Sequence, residues 1–163
     1  MQKGENKRNG FTIIEVSLVI AIAGLIFLMV FVALPQLQRQ QRDARRRDDI
    51  LAFLETVKKY QSNNRGVLPS TLAEWSEMKS AYMGDSFRDP DGADYAIDVV
   101  ECTATGGSIK KCKESADIVT MDHTFHIIKQ ATCDDENAAR TTNPKNIAIR
   151  YRLEGAGVYC ASM

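Results

Sequence analysis

The chain has 163 residues, with 21 basic and 21 acidic side chains. That length suits a single domain, and the charge balance gives no electrostatic drive toward nucleic acid. Its apolar residues are piled into the first fifth of the sequence, which excludes a chain that is polar and soluble throughout.

Residues 1–10 are polar and basic, with Lys3, Lys7 and Arg8 against Glu5. They hold no apolar core and read as a leader peptide removed before folding. An ordinary secretory signal has an apolar region of about 7–15 residues ending at a small-residue cleavage site; here the apolar run is longer and follows the basic stretch. Without the leader, 18 basic residues face 20 acidic ones.

Residues 11–34 contain one ionisable side chain, Glu15. As a helix they cover about 36 Å, more than the ~30 Å hydrocarbon core of a bilayer. An unpaired carboxylate in that setting costs about 2.5–3.5 kcal/mol on insertion scales, so Glu15 needs a partner.

The string Gly10-Phe11-Thr12-Ile13-Ile14-Glu15, placed ahead of this run, closely resembles the N-terminus of the type IV pilin family, which includes the pseudopilins of secretion systems. The resemblance implies cleavage between Gly10 and Phe11 by a membrane-embedded prepilin peptidase, then N-methylation of Phe11. Glu15 becomes the fifth residue of the mature chain, the position of the family's near-invariant Glu. When such helices stack with an axial stagger, the Phe11 amine of one copy reaches Glu15 of its neighbour, and two costly charges become one pair. The competing reading is a plain signal anchor with a Glu near its cytoplasmic edge.

Gly24 and Pro35 weaken the helix, the first by backbone entropy and the second by removing a hydrogen bond and clashing with the preceding turn. Pilins usually carry the Pro three residues earlier relative to the cut. The resemblance implies that the segment from Gly24 to Pro35 melts and stretches in a filament.

Residues 36–49 are polar all round, with Arg39, Arg42, Arg45, Arg46 and Arg47 among Asp43, Asp48 and Asp49. Arg42 with Arg46, and Asp43 with Arg47, are spaced four apart on a helix, the second pair in the favourable acid-first order. The expectation is a solvated helix; a nucleic-acid patch is the minor alternative, since an arginine belt could instead line contacts between neighbouring helices or meet lipid headgroups. Five arginines after the span outnumber three basic residues before it, so a positive-inside count would hold the C-terminal part in the cytoplasm. The prepilin-like signal and four cysteines argue instead for export.

Apolar residues return at Ile50, Leu51, Phe53, Leu54, Val57 and Tyr60, one stripe at 3.6 periodicity. The helix is expected to stop within 62–66, where Gly66 and two Asn residues suit a left-handed cap. Run continuously from 11 to 63, it would be roughly 80 Å long. Thr71 to Glu74 fits a capping box for a second helix with Leu72, Trp75, Met78 and Tyr82 on one face, ending at Gly84.

The carboxylate-rich stretch 85–95 reads as a turn leading into the alternating segment 95–100. Its Phe87-x-Asp89-Pro90-x-Gly92-x-x-Tyr95 pattern is similar to the segment that leads into the sheet of major pseudopilins, some of which bind calcium. Asp89, Asp91 and Asp94 are the calcium candidates. The fixed Gly and distal Glu of an EF-hand are missing, so a solvated turn is the preferred reading and calcium the minor alternative, as it is for Asp134-Asp135-Glu136 in a loop.

Strands are expected over 124–130 and 146–153, with the turn at 154–157 folding 158–160 back on the latter. The result is a small antiparallel sheet covering the stripe at 50–60. His123 and His126 would lie on opposite strand faces, solvated or locally hydrogen-bonded.

Cys102, Cys112, Cys133 and Cys160 all fall in the exported part, and an even count there favours disulfides. Zinc is disfavoured because no C-x2-C knuckle occurs. Three connectivities are open; the resemblance favours Cys102 with Cys112 and Cys133 with Cys160, since pilins commonly close their C-terminal region by such a loop.

No Walker loop, nucleophile elbow or His-Glu-x-x-His motif occurs, and no catalytic constellation is found. The expected architecture is α+β and pilin-like: leader 1–10, apolar half-helix 11–34, amphipathic half-helix 35–63, and an α/β head 64–163 with disulfides. The expected function is that of a structural subunit, not an enzyme, polymerising with its own copies into a surface filament for adhesion, twitching motility or DNA uptake. A pseudopilin or minor pilin, and a membrane-anchored binding protein that never polymerises, are the alternatives. Prepilin peptidase, an assembly platform and an ATPase are the implied partners, with no cofactor and no direct nucleic-acid contact. The precursor would sit in the cytoplasmic membrane with its head exported.

Overall fold

The structure is a computed structural model and describes residues 10–100, 123–141, 143–155 and 157–163. Its elements in chain order are α1 (Ile13–Asn63), α2 (Leu72–Met83), β1 (Ala96–Val100), β2 (Thr124–Lys129), β3 (Ala131–Asp134), β4 (Asn137–Arg140), β5 (Ile147–Arg152) and β6 (Val158–Ser162). The chain separates into two units, Met1–Gln38 and Arg39–Met163.

In the first unit the helix presents its apolar side chains outward: Ile13, Leu18, Leu25, Phe27, Met29 and Phe31 are all exposed. The helix runs unbroken past Gly24 and Pro35, although Pro35 has no N–H to donate. By length and composition α1 is apolar enough to cross a membrane.

In the second unit the predicted stripe forms the core. Ile50, Phe53, Leu54 and Val57 are buried against Phe125, Ile127, Ile149 and Tyr151, with Trp75 and Met78 from α2 in the same cluster. Leu51 leaves the stripe and stays half exposed, as do Leu72 and Tyr82 on α2. Phe53 stacks on Trp75 with ring centroids 6.3 Å apart, and Phe125 meets Tyr95 at 4.5 Å.

The helix ends follow local chemistry. Asn63 closes α1, the amide of Gly66 bonds back to the Gln61 carbonyl at 2.7 Å, and the left-handed residue before it is Arg65, with φ 56°. That six-residue return is a Schellman cap with Arg in the place usually taken by Gly. At α2 the Thr71 hydroxyl accepts from the Glu74 amide, while the Glu74 carboxylate accepts from the amide and hydroxyl of Ser70 at 2.6 and 3.0 Å. The capping box is therefore shifted by one residue on its return arm.

The four-stranded sheet has the order β1-β2-β5-β6 and is mixed. β1 runs parallel to β2, whereas β2–β5 and β5–β6 are antiparallel. The small sheet expected from the sequence is thus present and antiparallel except at β1–β2, where the chain between Val100 and Thr124 is long enough for the crossover that a parallel pair needs, about a dozen residues or more. A second pair, β3–β4, forms an antiparallel hairpin that covers the far face of the main sheet, where Ala131 and Ala138 pack on Ile128 and Ala148. Alternate residues of β5 thus meet α1 and the hairpin, and five of its six residues are buried. The Asp134-Asp135-Glu136 loop is the turn of this hairpin, with Asp135 at φ 58°.

A disulfide joins Cys133 on β3 to Cys160 on β6 and ties the hairpin to the sheet edge. The other proposed pair, Cys102 with Cys112, lies outside the described residues.

Candidate functional site

Two sites emerge, one in each unit. The first is the N-terminal turn of α1. Thr12 precedes the helix, and its carbonyl accepts from the amides of Glu15 and Val16 at 3.1 and 3.3 Å. Glu15 lies in the first turn, where the positive end of the helix dipole favours a carboxylate. Its one side-chain contact is the Thr12 hydroxyl, 3.5 Å from Oε2, and among the described residues no basic group pairs with it. Phe11, Glu15, Val16, Val19 and Ile20 line an open space of about 360 Å³ beside the helix. Gly10 and Phe11, at the predicted cut, are exposed.

The second site is a buried ionic cluster centred on Arg46, which is 2% exposed. Its Nε and Nη2 donate to Asp89 Oδ2 and Oδ1 at 2.7 and 2.8 Å, a bidentate geometry that also fixes orientation. Nη1 lies 3.2 Å from Asp43 Oδ1 and 2.8 Å from Glu154 Oε1. Asp43 in turn accepts from the amides of Glu154 and Gly155 at 2.9 and 3.0 Å. Arg42 holds Glu154 through two further bonds of 3.0 and 2.7 Å, and the Tyr151 hydroxyl donates to Asp89 at 2.7 Å. Nearby, the Tyr95 hydroxyl donates to Asp49 at 2.7 Å.

These contacts shift the titrations. The Asp89 bond, above all, raises the Arg46 pKa against the effect of burial. Burial pushes Asp89 up, but hydrogen bonds from Arg46, Tyr151 and the Asp91 amide outweigh it and leave the carboxyl well below its usual range. Glu154 is lowered to about 2, first by its Arg42 bond. Burial is the main cause that raises Tyr151 and Tyr95. It also raises Asp49 despite the Tyr95 bond.

Three sequence expectations change here. Residues 36–49 do not form a wholly solvated helix, because Asp43 and Arg46 are buried. Asp43 pairs with Arg46 at i,i+3, and Arg47 instead lies over the Tyr159 ring, 5.4 Å from its centroid. Nor is the 85–95 turn simply solvated: Asp89 is 3% exposed, while exposed Asp94 pairs with Arg88 at 3.0 Å. The Arg46–Asp89 link spans 43 residues, and no local pattern announces it.

The carboxylates singled out for calcium are met by arginine. Asp94 is drawn to Arg88, and His123 takes its place beside Asp89 and Asp91, with one donor atom from each of the three within 4.8 Å of the others. His123 Nε2 is 3.3 Å from Asp91 Oδ2, and Nδ1 is 3.6 Å from Asp89 Oδ2. Since Asp89 already accepts from Arg46 and Tyr151, a divalent cation there would compete with a guanidinium in place. His123 is a turn residue with φ 62°, not a strand residue; His126 is 1% exposed on β2, its Nδ1 3.1 Å from Asp98 Oδ2. The two imidazoles share no site.

Residues 6–31 match the family described as the prokaryotic N-terminal methylation motif. No curated protein and no solved structure matches the chain. The chain therefore carries the prepilin signature of type IV pilins. That signature marks a class of structural proteins, and together with the apolar helix it fits a membrane-anchored precursor.

Proposed function

We propose that this chain is a type IV pilin subunit, cut between Gly10 and Phe11 by a prepilin peptidase, N-methylated on Phe11, and polymerised with its own copies into a surface filament. The observation that carries the reading is Glu15: the one ionisable group of residues 11–34, with no cation beside it among the described residues. A carboxylate left so in an apolar assembly costs several kcal/mol, and a neighbour's new amine removes that cost by forming a pair. The apolar surface of residues 11–34 then supplies the lateral contact, and the head remains a separately packed unit at the filament surface. An assembly platform and ATPase would drive extraction from the cytoplasmic membrane. Gly24 and Pro35 are the places where the helix would loosen as it leaves the bilayer.

The Phe87 to Tyr95 pattern supports a second reading, the pseudopilin of a secretion system, with the same processing and assembly. Protein sheared from the cell surface separates the two. Mature chains beginning at Phe11 within long filaments support the pilin, and processed chains that stay with the envelope support the pseudopilin. The Glu15→Ala variant should be processed but fail to assemble; filaments of normal number and length in that variant would remove the pairing role.

A further inference from the structure

We propose that Arg39 is a binding site for anionic lipid phosphate at the end of the membrane span, holding the unassembled subunit at a fixed depth; this rests on the membrane-anchored reading. Five arginines follow the apolar run, and the structure sorts them. Arg42 is held by Glu154, and Arg46 by Asp89, Asp43 and Glu154. Arg47 lies over Tyr159. Arg39 and Arg45 are exposed and have no hydrogen bond or ion pair among the described residues, and Arg45 has Asp48 and Asp49 one helical turn away. Arg39 has no such acid in reach, because Asp43, its i+4 neighbour, is buried and committed to Arg46 and two backbone amides.

Position along the helix then selects the ligand. Arg39 comes five residues after Leu34, about 7.5 Å at 1.5 Å per residue. The headgroup region occupies about 5–7 Å on each side of the hydrocarbon core, which a long arginine stem can reach from there in the manner of a snorkelling side chain. Arg45, about 16 Å past Leu34, lies beyond that layer. A planar guanidinium matches phosphate oxygens bidentately, and a cation near an anionic surface gains the equivalent of about a five-fold preference.

The test uses the full chain in vesicles of phosphatidylcholine or of an equal mixture with phosphatidylglycerol, reading the lipid shell by spin-labelled lipids of each kind. The wild type should prefer labelled phosphatidylglycerol about five-fold at low salt, Arg39→Gln should bring the ratio near one, Arg39→Lys should keep most of it, and Arg45→Gln should leave it unchanged. Unchanged selectivity in Arg39→Gln, or equal loss in Arg45→Gln, overturns the assignment. If Arg39→Gln weakens self-association while lipid selectivity stays, the group serves a carboxylate of a second copy and the lipid site is wrong. Carbonate extraction of the wild type from both vesicle types would instead overturn the membrane-anchored reading, and this inference with it.

Discussion

Arg46 on α1 grips Asp89 on the turn before β1 through two parallel hydrogen bonds of 2.7 and 2.8 Å, with both side chains almost wholly shielded from water. The bond spans 43 residues of chain and joins the helix to the loop that enters the sheet. Removing one partner leaves an uncompensated buried charge, which typically costs 3–5 kcal/mol. Asp89→Asn is therefore expected to lower the unfolding free energy of the second unit by about that amount, and Arg46→Met by a similar amount. The combined Arg46→Met, Asp89→Leu variant should recover only a part of the loss: an apolar replacement of a buried pair is often near neutral, but here it leaves Asp43 without its cation and the Tyr151 hydroxyl without its acceptor. Denaturant unfolding of all three decides the matter; a loss below about 1 kcal/mol in Asp89→Asn, the range of a surface pair, would show that the turn is held by other contacts.

The same cluster sets an acid limit. Asp89 and Glu154 both titrate below their ordinary values in the fold. A depressed carboxyl contributes stability above its unfolded pKa and loses it as pH falls through the folded one. The contribution is thus intact above about pH 5 and declines from about pH 4.5 toward 2, the value to which Glu154 is lowered. Asp49 has the opposite sign, because burial raises its pKa, and offsets a part of the acid loss. Thermal melts from pH 7 to 2 should show this decline in the wild type and a shallower one in Asp89→Asn. Parallel curves for the two proteins would mean that other carboxyls carry the acid transition.

The Cys133–Cys160 bond closes a loop of 27 residues, for which chain entropy gives about 3–4 kcal/mol. It also fastens β3–β4, a hairpin whose own cover on the sheet consists largely of alanines. Cys133→Ser with Cys160→Ser should lower the melting temperature, and amide exchange should rise first in β3 and β4 while β2 and β5 stay protected by the α1 face. Uniform loss of protection across the sheet would instead make the hairpin and sheet one cooperative unit.

Much of this fold is legible in the sequence where the signal is periodic. The stripe from Ile50 to Tyr60, the Thr71 cap and the strands near 124–130 and 146–153 each need only local pattern, and each is found within a residue or two. The β3–β4 hairpin escapes that kind of reading because Ala, Asn and Asp dominate it, residues with low strand preference; its place is set by the disulfide and by the sheet beneath it. The Arg46 cluster escapes for a different reason: five arginines and three aspartates within 36–49 look alike as a string, and only the fold decides which two go inside. At the N-terminal site the string Gly10 to Glu15 itself is the signal, and the structure adds to it the absence of any described counter-charge for Glu15.

Gly24 and Pro35 are the two weak residues of the apolar helix. A Cβ at Gly24 would meet nothing within 4 Å, so Gly24→Ala changes propensity without steric cost in the subunit, and is expected to strengthen the helix by about 1 kcal/mol. Pro35→Ala restores a missing N–H and removes a ring clash, a gain of about 3 kcal/mol in a helix interior. If extraction from the bilayer requires the segment between them to loosen, both variants should be processed normally, show slower amide exchange over residues 24–35 in detergent, and yield fewer or less extensible filaments, with Pro35→Ala the stronger. Slower exchange with filaments of unchanged number and extension would separate helix strength from assembly, and the two residues would then have no part in it.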